Sequence, residues 1–134
     1  MRRRSALSLV VLIAVCGNGC GNQLQMKSEL LKFGSAYHTL SAKKGKAPSG
    51  LEELQEKRGS FPTLYQQIQD GQFVVIWNAK FPGRGEENDK YILAYPKSAA
   101  EKGGLVLRGG GSWKEMTAEE FKATPKLESE GEQP

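Results

Sequence analysis

Between residues 22 and 44, apolar side chains return at a helical interval. Met26, Leu30, Phe33, Tyr37 and Leu40 are separated by four, three, four and three positions, which lines them along one stripe of an α-helix. Lys43 and Lys44 fall in the last turn, where positive charge suits the negative end of the helix dipole, and Gly45 followed by Ala47-Pro48 stops the helix. Ser49-Gly50-Leu51-Glu52 has the form of a capping box, opening a short helix through Leu51 and Leu54 to residue 57. Another helical turn carries Leu64, Tyr65 and Ile68 and ends at Asp70-Gly71.

Beyond Gly71 the interval drops to two. Residues 72–81 are rich in β-branched and aromatic side chains, with Phe73, Val75, Trp77, Ala79 and Phe81 on one face and Val74 and Ile76 on the other. That pattern predicts a central strand. A loop rich in Gly and charge covers residues 82–89, and further strands are expected at residues 91–95, 105–108 and 113–116. Gly109 to Gly111 read as a hairpin turn, and Thr117-Ala118-Glu119-Glu120 as a second capping box before Phe121. Residues 125–134 hold one large apolar residue, Leu127, and read as a disordered acidic tail. Helix followed by strands argues for an α+β fold: a long N-terminal helix packed on a small antiparallel sheet of three to four strands. In this picture the second sheet face and the Gly109 to Gly111 turn look toward solvent or a partner.

The chain has 134 residues, which suits one domain. Its 38% hydrophobic content excludes both a polytopic membrane protein and a wholly disordered chain, and its two cysteines exclude a disulfide-stapled miniprotein. The formal charge of +4 resembles that of a nucleic-acid binder until it is located. Arg2, Arg3 and Arg4 precede every acidic residue, and beyond them 16 basic residues face 15 acidic ones. The excess belongs to the N-terminus, and no nucleic-acid partner is expected.

Those arginines open a recognisable segment. They form a positive n-region, residues 6–15 form an apolar run, and Gly17-Asn18-Gly19-Cys20 supplies small residues next to a cysteine. A spanning helix needs about 20 apolar residues, so this run has the dimensions of a secretory h-region. The segment resembles a bacterial lipoprotein signal, in which the cysteine after a small residue is lipidated and becomes the mature N-terminus. Cys20 after Gly19 fits that role, with Cys16 the alternative; Gly17 stands where the pattern prefers Leu, and Val15 fits poorly before Cys16. The expected organisation is a signal peptide over residues 1–19, one α+β domain over 20–124 and the tail. It would place the domain in the cell envelope, anchored to membrane through an N-terminal lipid and facing the periplasm or the exterior. A plain secretory signal is the other reading.

Two further stretches carry a resemblance. Tyr37-His38, Gly45-Lys46 and Pro48 in the helix and its following loop, and Gly110, Ser112 and residues 117–121 near the end, are similar to pseudopilin-like proteins of planctomycete-type bacteria. The resemblance covers residues 28–122 and implies a pilin-like α+β fold in the envelope, without enzymatic residues. The chain departs from that family in having a lipoprotein-like signal rather than a prepilin leader with its Glu. It also has Gly110-Gly111-Ser112 where Asp-Gly-Ser is usual.

The residues offer little catalytic chemistry. His38 is the only histidine, which excludes a His-pair metal site, and no HExxH, CxxC, GxSxG or P-loop motif is present. His38 reads as a boundary residue of the helix stripe rather than a general base. Glu86, Glu87 and Asp89 lack the ligand spacing of an EF-hand and read as solvated charge. No metal, cofactor or enzymatic activity is expected. Lys43, Lys44 and Lys46 form a small basic knot, a solvated helix end or a contact for anionic lipid or polymer. Trp77 is expected in the core, and Trp113 beside the Gly turn is the aromatic free to take part in an interaction surface. The expected function is therefore a structural or interaction role among envelope proteins. The alternative is a periplasmic module for a small ligand or glycan, marked by a pocket lined by Trp113, Tyr91 and Tyr95.

Overall fold

Helix α1 (Arg3–Lys44) leads into the rest of the chain in the computed structural model, which describes the backbone of residues 3–129 and the side chains of residues 23–129. The start expected at residue 22 is thus not a boundary; no proline interrupts residues 3–44. A 3₁₀ helix (Leu51–Ser60) and α2 (Pro62–Gln69) follow, then β1 (Phe73–Val75) and β2 (Ala79–Lys80). A second 3₁₀ helix (Gly85–Lys90) precedes β3 (Ile92–Pro96), α3 (Ala99–Lys102), β4 (Gly104–Arg108), β5 (Trp113–Met116), α4 (Ala118–Ala123) and β6 (Glu128–Ser129). The main sheet is antiparallel with order β1-β3-β4-β5, and β2 pairs with β6 in a separate two-stranded sheet. The α+β architecture is the one the periodicities predict.

The helix stripe closes the main core. Leu30, Phe33 and Tyr37 are fully buried, and Met26 and Leu40 pack partly buried beside them. They meet Phe73 and Val75 of β1, Leu93 and Ala94 of β3, and Leu105 and Leu107 of β4. Fully burying an aliphatic or aromatic side chain contributes about 1.5–3 kcal/mol, so the stripe outweighs helix propensity in docking α1. A register shift between Ile92 and Ala94 lets the neighbours Leu93 and Ala94 serve the same core, where strict alternation would part them.

The opposite sheet face is covered as well. Ile92, Val106 and Met116 form a second cluster with Ala99 of α3 and Phe121 of α4, against which Tyr95 packs. The expectation that this face looks outward is therefore corrected, because Val106 and Ile92 are too apolar to stay wet. The capping box at Thr117 is present: its hydroxyl accepts from Glu120 N–H at 3.1 Å and Glu120 Oε1 accepts from Thr117 N–H at 2.9 Å. That backbone hydrogen bond is the main reason the Glu120 carboxyl lies below its usual range. The expected box at Ser49 is not formed. Ser49 bonds through its N–H and hydroxyl to Glu53 rather than Glu52, and Leu51–Ser60 winds as a 3₁₀ helix.

The single strand expected over residues 72–81 is broken in two, and β1 is an edge strand rather than a central one. Asn78 adopts a left-handed φ of 56°, a conformation Asn tolerates better than most residues, and its N–H donates to Pro48 O at 2.7 Å. Tyr37 holds the break. Its hydroxyl donates to Ile76 O at 2.7 Å and accepts from Ala79 N–H at 3.2 Å, so one side chain binds the backbone on both sides of the break.

Burial pushes the Tyr37 phenol from 10.0 up to about 12, against the opposing hydrogen bond from Ala79, with the charge of Glu53 adding to the rise. The folded protein thus favours the neutral phenol. Its contribution is fully present below pH 10 and is lost as pH rises through about 12. Urea unfolding at pH 9 and at pH 11.5 should show a smaller loss of stability in Tyr37→Phe than in the wild type. Equal losses in the two proteins would rule the phenol out as the source.

Residues 125–129 are not a disordered tail. Leu127 is buried in the main core, Lys126 forms a parallel bridge to Ile92, and Glu128 and Ser129 pair with Lys80 and Ala79. Ser129 Oγ also donates to Trp77 O at 2.7 Å. One large apolar side chain is enough to pin the segment once β2 offers it an open edge. Residues 130–134 lie outside the described part.

Candidate functional site

The interaction surface expected from the sequence comprises Lys43, Lys44, Lys46 and Trp113. The end of α1 does not present its three lysines as one patch. Lys44 is committed to Glu53 of the first 3₁₀ helix at 2.8 Å, and the hydrogen bond from Lys44, followed by those from Ser49, holds the Glu53 carboxyl down at about 2. Lys43 is exposed on one side, at a 410 Å³ groove between α1 and the first 3₁₀ helix floored by Ala36, Leu40, Leu54 and Phe61. Lys46 opens on the other side, onto a 660 Å³ cleft.

Trp113 starts β5 and is half-buried against the main core. Lys27 Nζ of α1 stands 4.6 Å from its ring centroid, which gives that ring a cation partner from within the chain. Tyr95 packs on Phe121 at 5.0 Å, in the cluster on the opposite sheet face, and Tyr91 lines a separate 290 Å³ recess beside Pro82 and Leu127. The three aromatics do not share a pocket, so the arrangement that would mark a glycan module is not formed by them. Trp77, expected in the core, lies half-buried at its edge between β1 and β2, with its ring stacked on Tyr37 at 6.1 Å. Cys20 and Cys16 fall among residues whose side chains lie outside the described part.

The 660 Å³ cleft gathers residues the sequence reading did not group. Its walls are the last turns of α1 with His38 and Ser41, the loop after it with Lys46, and the segment from Ala79 to Asn88 with Lys80, Phe81 and Arg84. His38 is a boundary residue, as its place on the stripe implies. Its ring packs on Phe81 at 4.8 Å, and its Nε2 lies 2.7 Å from Gly109 O, so that nitrogen carries the hydrogen. The bond belongs to a close approach between α1 and the β4–β5 hairpin. A Cβ on Gly34 would stand 2.9 Å from Gly111 O, which is why α1 keeps a glycine at mid-helix despite about 1 kcal/mol of lost propensity. The Gly109 to Gly111 turn is therefore docked on α1 through Gly109 and Gly111, with Gly110 left exposed. Asp89, read from sequence as solvated, is half-buried and fastens the same turn by accepting from Gly110 N–H at 3.0 Å and Ser112 Oγ at 3.3 Å.

The signal for this cleft was present in the sequence as Lys80 and Arg84 flanking Phe81-Pro82-Gly83, but only the fold brings Lys46 and His38 to the same place. Among the described residues no three His, Cys, Asp or Glu side chains converge on a metal-sized point, and no helix is long and apolar enough to cross a membrane. The chain matches no protein-family model, no curated protein and no solved structure.

Proposed function

We propose that this protein is an exported, lipid-anchored envelope protein of pseudopilin-like build, with a structural or interaction role and no enzymatic one. The observation that carries the reading is the N-terminal sequence: Arg2 to Arg4, an apolar run over residues 6–15, and Gly19 before Cys20. The fold is compatible with a domain held close to its anchor. Gln23 Nε2 donates to Glu115 Oε2 of β5 at 3.3 Å, so the domain begins within a few residues of Cys20 and Gln23 is not a free tether. The reading is further supported by the two filled cores and by the separation of Trp113 from Tyr91 and Tyr95. Its partners would be the membrane, through lipid on Cys20, and other envelope proteins.

The test is the mass of the N-terminus in protein taken from membrane fractions. A diacylated or triacylated Cys20 is expected, with Arg2 to Arg4 gone. Cys20→Ser should stall processing or release the protein to the soluble fraction. An intact Met1 in the bulk of the protein, or unchanged membrane association of Cys20→Ser, would overturn the reading, the latter pointing to Cys16.

A further inference from the structure

We propose that the cleft between the end of α1 and the segment from Ala79 to Asn88 binds a dissolved phosphate-type oxyanion, with Lys46, Lys80 and Arg84 supplying charge and Asn88 a fixed donor. This goes beyond the envelope reading and does not depend on it.

Charge is the first observation. Lys46, Lys80 and Arg84 all line the cleft and are exposed, and none has an ion-pair partner among the described residues. No carboxylate belongs to the lining. Three stand near it: Asp89 is engaged by Gly110 N–H and Ser112 Oγ, Glu87 lies against Gly83, and Glu128 sits opposite Lys80 across the β2–β6 pair without bridging to it. Three cations that are not ion-paired, set around one concavity whose own lining holds no carboxylate, attract anions to it, and Arg in particular can meet a phosphate through two parallel N–H bonds.

Asn88 is the second, independent observation. It is 5% exposed, yet it lines the cleft. Its Oδ1 accepts from Gly83 N–H at 3.1 Å, which fixes the amide orientation and makes Nδ2 the donor end. Nδ2 has no hydrogen-bond partner among the described residues. No fully buried side-chain nitrogen or oxygen there is left without one, so this nitrogen keeps some contact with solvent, and the cleft is a surface that Asn88 lines. Burying an amide while leaving its donor half unused is unfavourable unless water or a ligand takes it up. An oxyanion seated between Arg84 and Lys80 accepts that hydrogen bond, whereas a cation or an apolar ligand cannot. The wall formed by Phe81 against His38 gives the site a dry side, where charge-assisted bonds are stronger.

The full-length chain in a neutral detergent is titrated with inorganic phosphate at fixed pH and ionic strength, with sodium chloride as the balancing salt, and followed by nitrogen–proton NMR. Saturable shifts are expected at the Asn88 side-chain amide, the Arg84 guanidinium and the backbone amides of residues 83–88. Lys80→Ala combined with Arg84→Ala should weaken binding at least tenfold, while Lys114→Ala on β5 should leave it unchanged. Asn88→Asp keeps an acceptor for Gly83 N–H but replaces the donor with negative charge. It should abolish binding, with a thermal midpoint to confirm that the fold persists. Shifts that fail to saturate, spread over all lysines, or survive the Lys80/Arg84 double substitution would overturn the proposal. The same chain in vesicles of phosphatidylcholine with and without phosphatidylglycerol separates the two sources of phosphate. If the cleft signals move with the anionic lipid and not with dissolved phosphate, the assignment to a dissolved ligand is wrong.

Discussion

Phe33→Ala is expected to lower the stability of the protein by about 3–5 kcal/mol, the usual range for removing a fully buried phenyl ring. Phe33 is 0% exposed and stands at the centre of an aromatic cluster. Its ring meets Phe61 edge-on at 5.2 Å, Trp77 at 6.3 Å and Tyr37 at 6.2 Å. These partners come from α1, the entry to α2 and the segment after β1, so no single element can shift to refill the cavity. A domain of this size has about 5–15 kcal/mol in total, and the variant should lose a large part of its urea midpoint with little change in slope. Lys43→Ala, on an exposed part of the same helix, should stay within about 0.5 kcal/mol of the wild type. A neutral Phe33→Ala would mean that the stripe faces something other than this core.

Glu29→Ala should cost about 2–3 kcal/mol, through an interaction that no periodicity announces. Glu29 is only 4% exposed although it carries a carboxylate, and it is tied down at both oxygens. Oε1 accepts from Leu64 N–H at 2.7 Å and Oε2 accepts from Gln25 Nε2 at 2.8 Å. Leu64 N–H is one of the first amides of α2, which have no partners inside their own helix, and Phe61 before it supplies no side-chain cap. A carboxylate from α1 therefore does the capping across the interface and faces the positive end of α2. Hydrogen bonds to charged groups contribute about 1.5–3 kcal/mol, and truncation leaves a buried N–H without its acceptor. Glu29→Gln, which keeps an acceptor oxygen, should recover part of the loss. If Glu29→Gln is as damaging as Glu29→Ala, the charge matters more than the acceptor; if both are neutral, the capping role is wrong.

Glu29 also shows which kind of information the sequence withholds. On its helix it occupies a position like any solvated Glu, because the donor it serves lies 35 residues away and nothing local points to it. Signals carried within one element were readable: the stripe from Met26 to Leu40, the Thr117 box, and the strand at residues 105–108. Signals that depend on a competitor were not. Residues 72–81 have a strand's alternation throughout, but after Ile76 N–H bonds Leu93 O of β3, the Tyr37 hydroxyl takes Ile76 O and Ala79 N–H, Pro48 O takes Asn78 N–H, and the ladder stops. Ser49 had two carboxylates within reach, and Lys44 decided for Glu53 by pairing with it. The cleft fell into the same class. Lys46 and Arg84 belong to different segments, and Asn88 looks like loop polarity until its burial is known.

The anchoring of Leu127 has a bearing on when this molecule can fold. The core that opens with Leu30 includes Leu127, and β2 pairs with β6, near the end of the described residues. Contacts between such distant stretches form late, because the whole intervening chain must be brought to order before they contribute. A chain delivered N-terminus first therefore cannot complete the core on the α1 stripe until residue 127 arrives. On the proposed export route the secretory channel would receive unfolded polypeptide, and a domain whose core is completed only near residue 127 stays threadable until nearly all of it has passed.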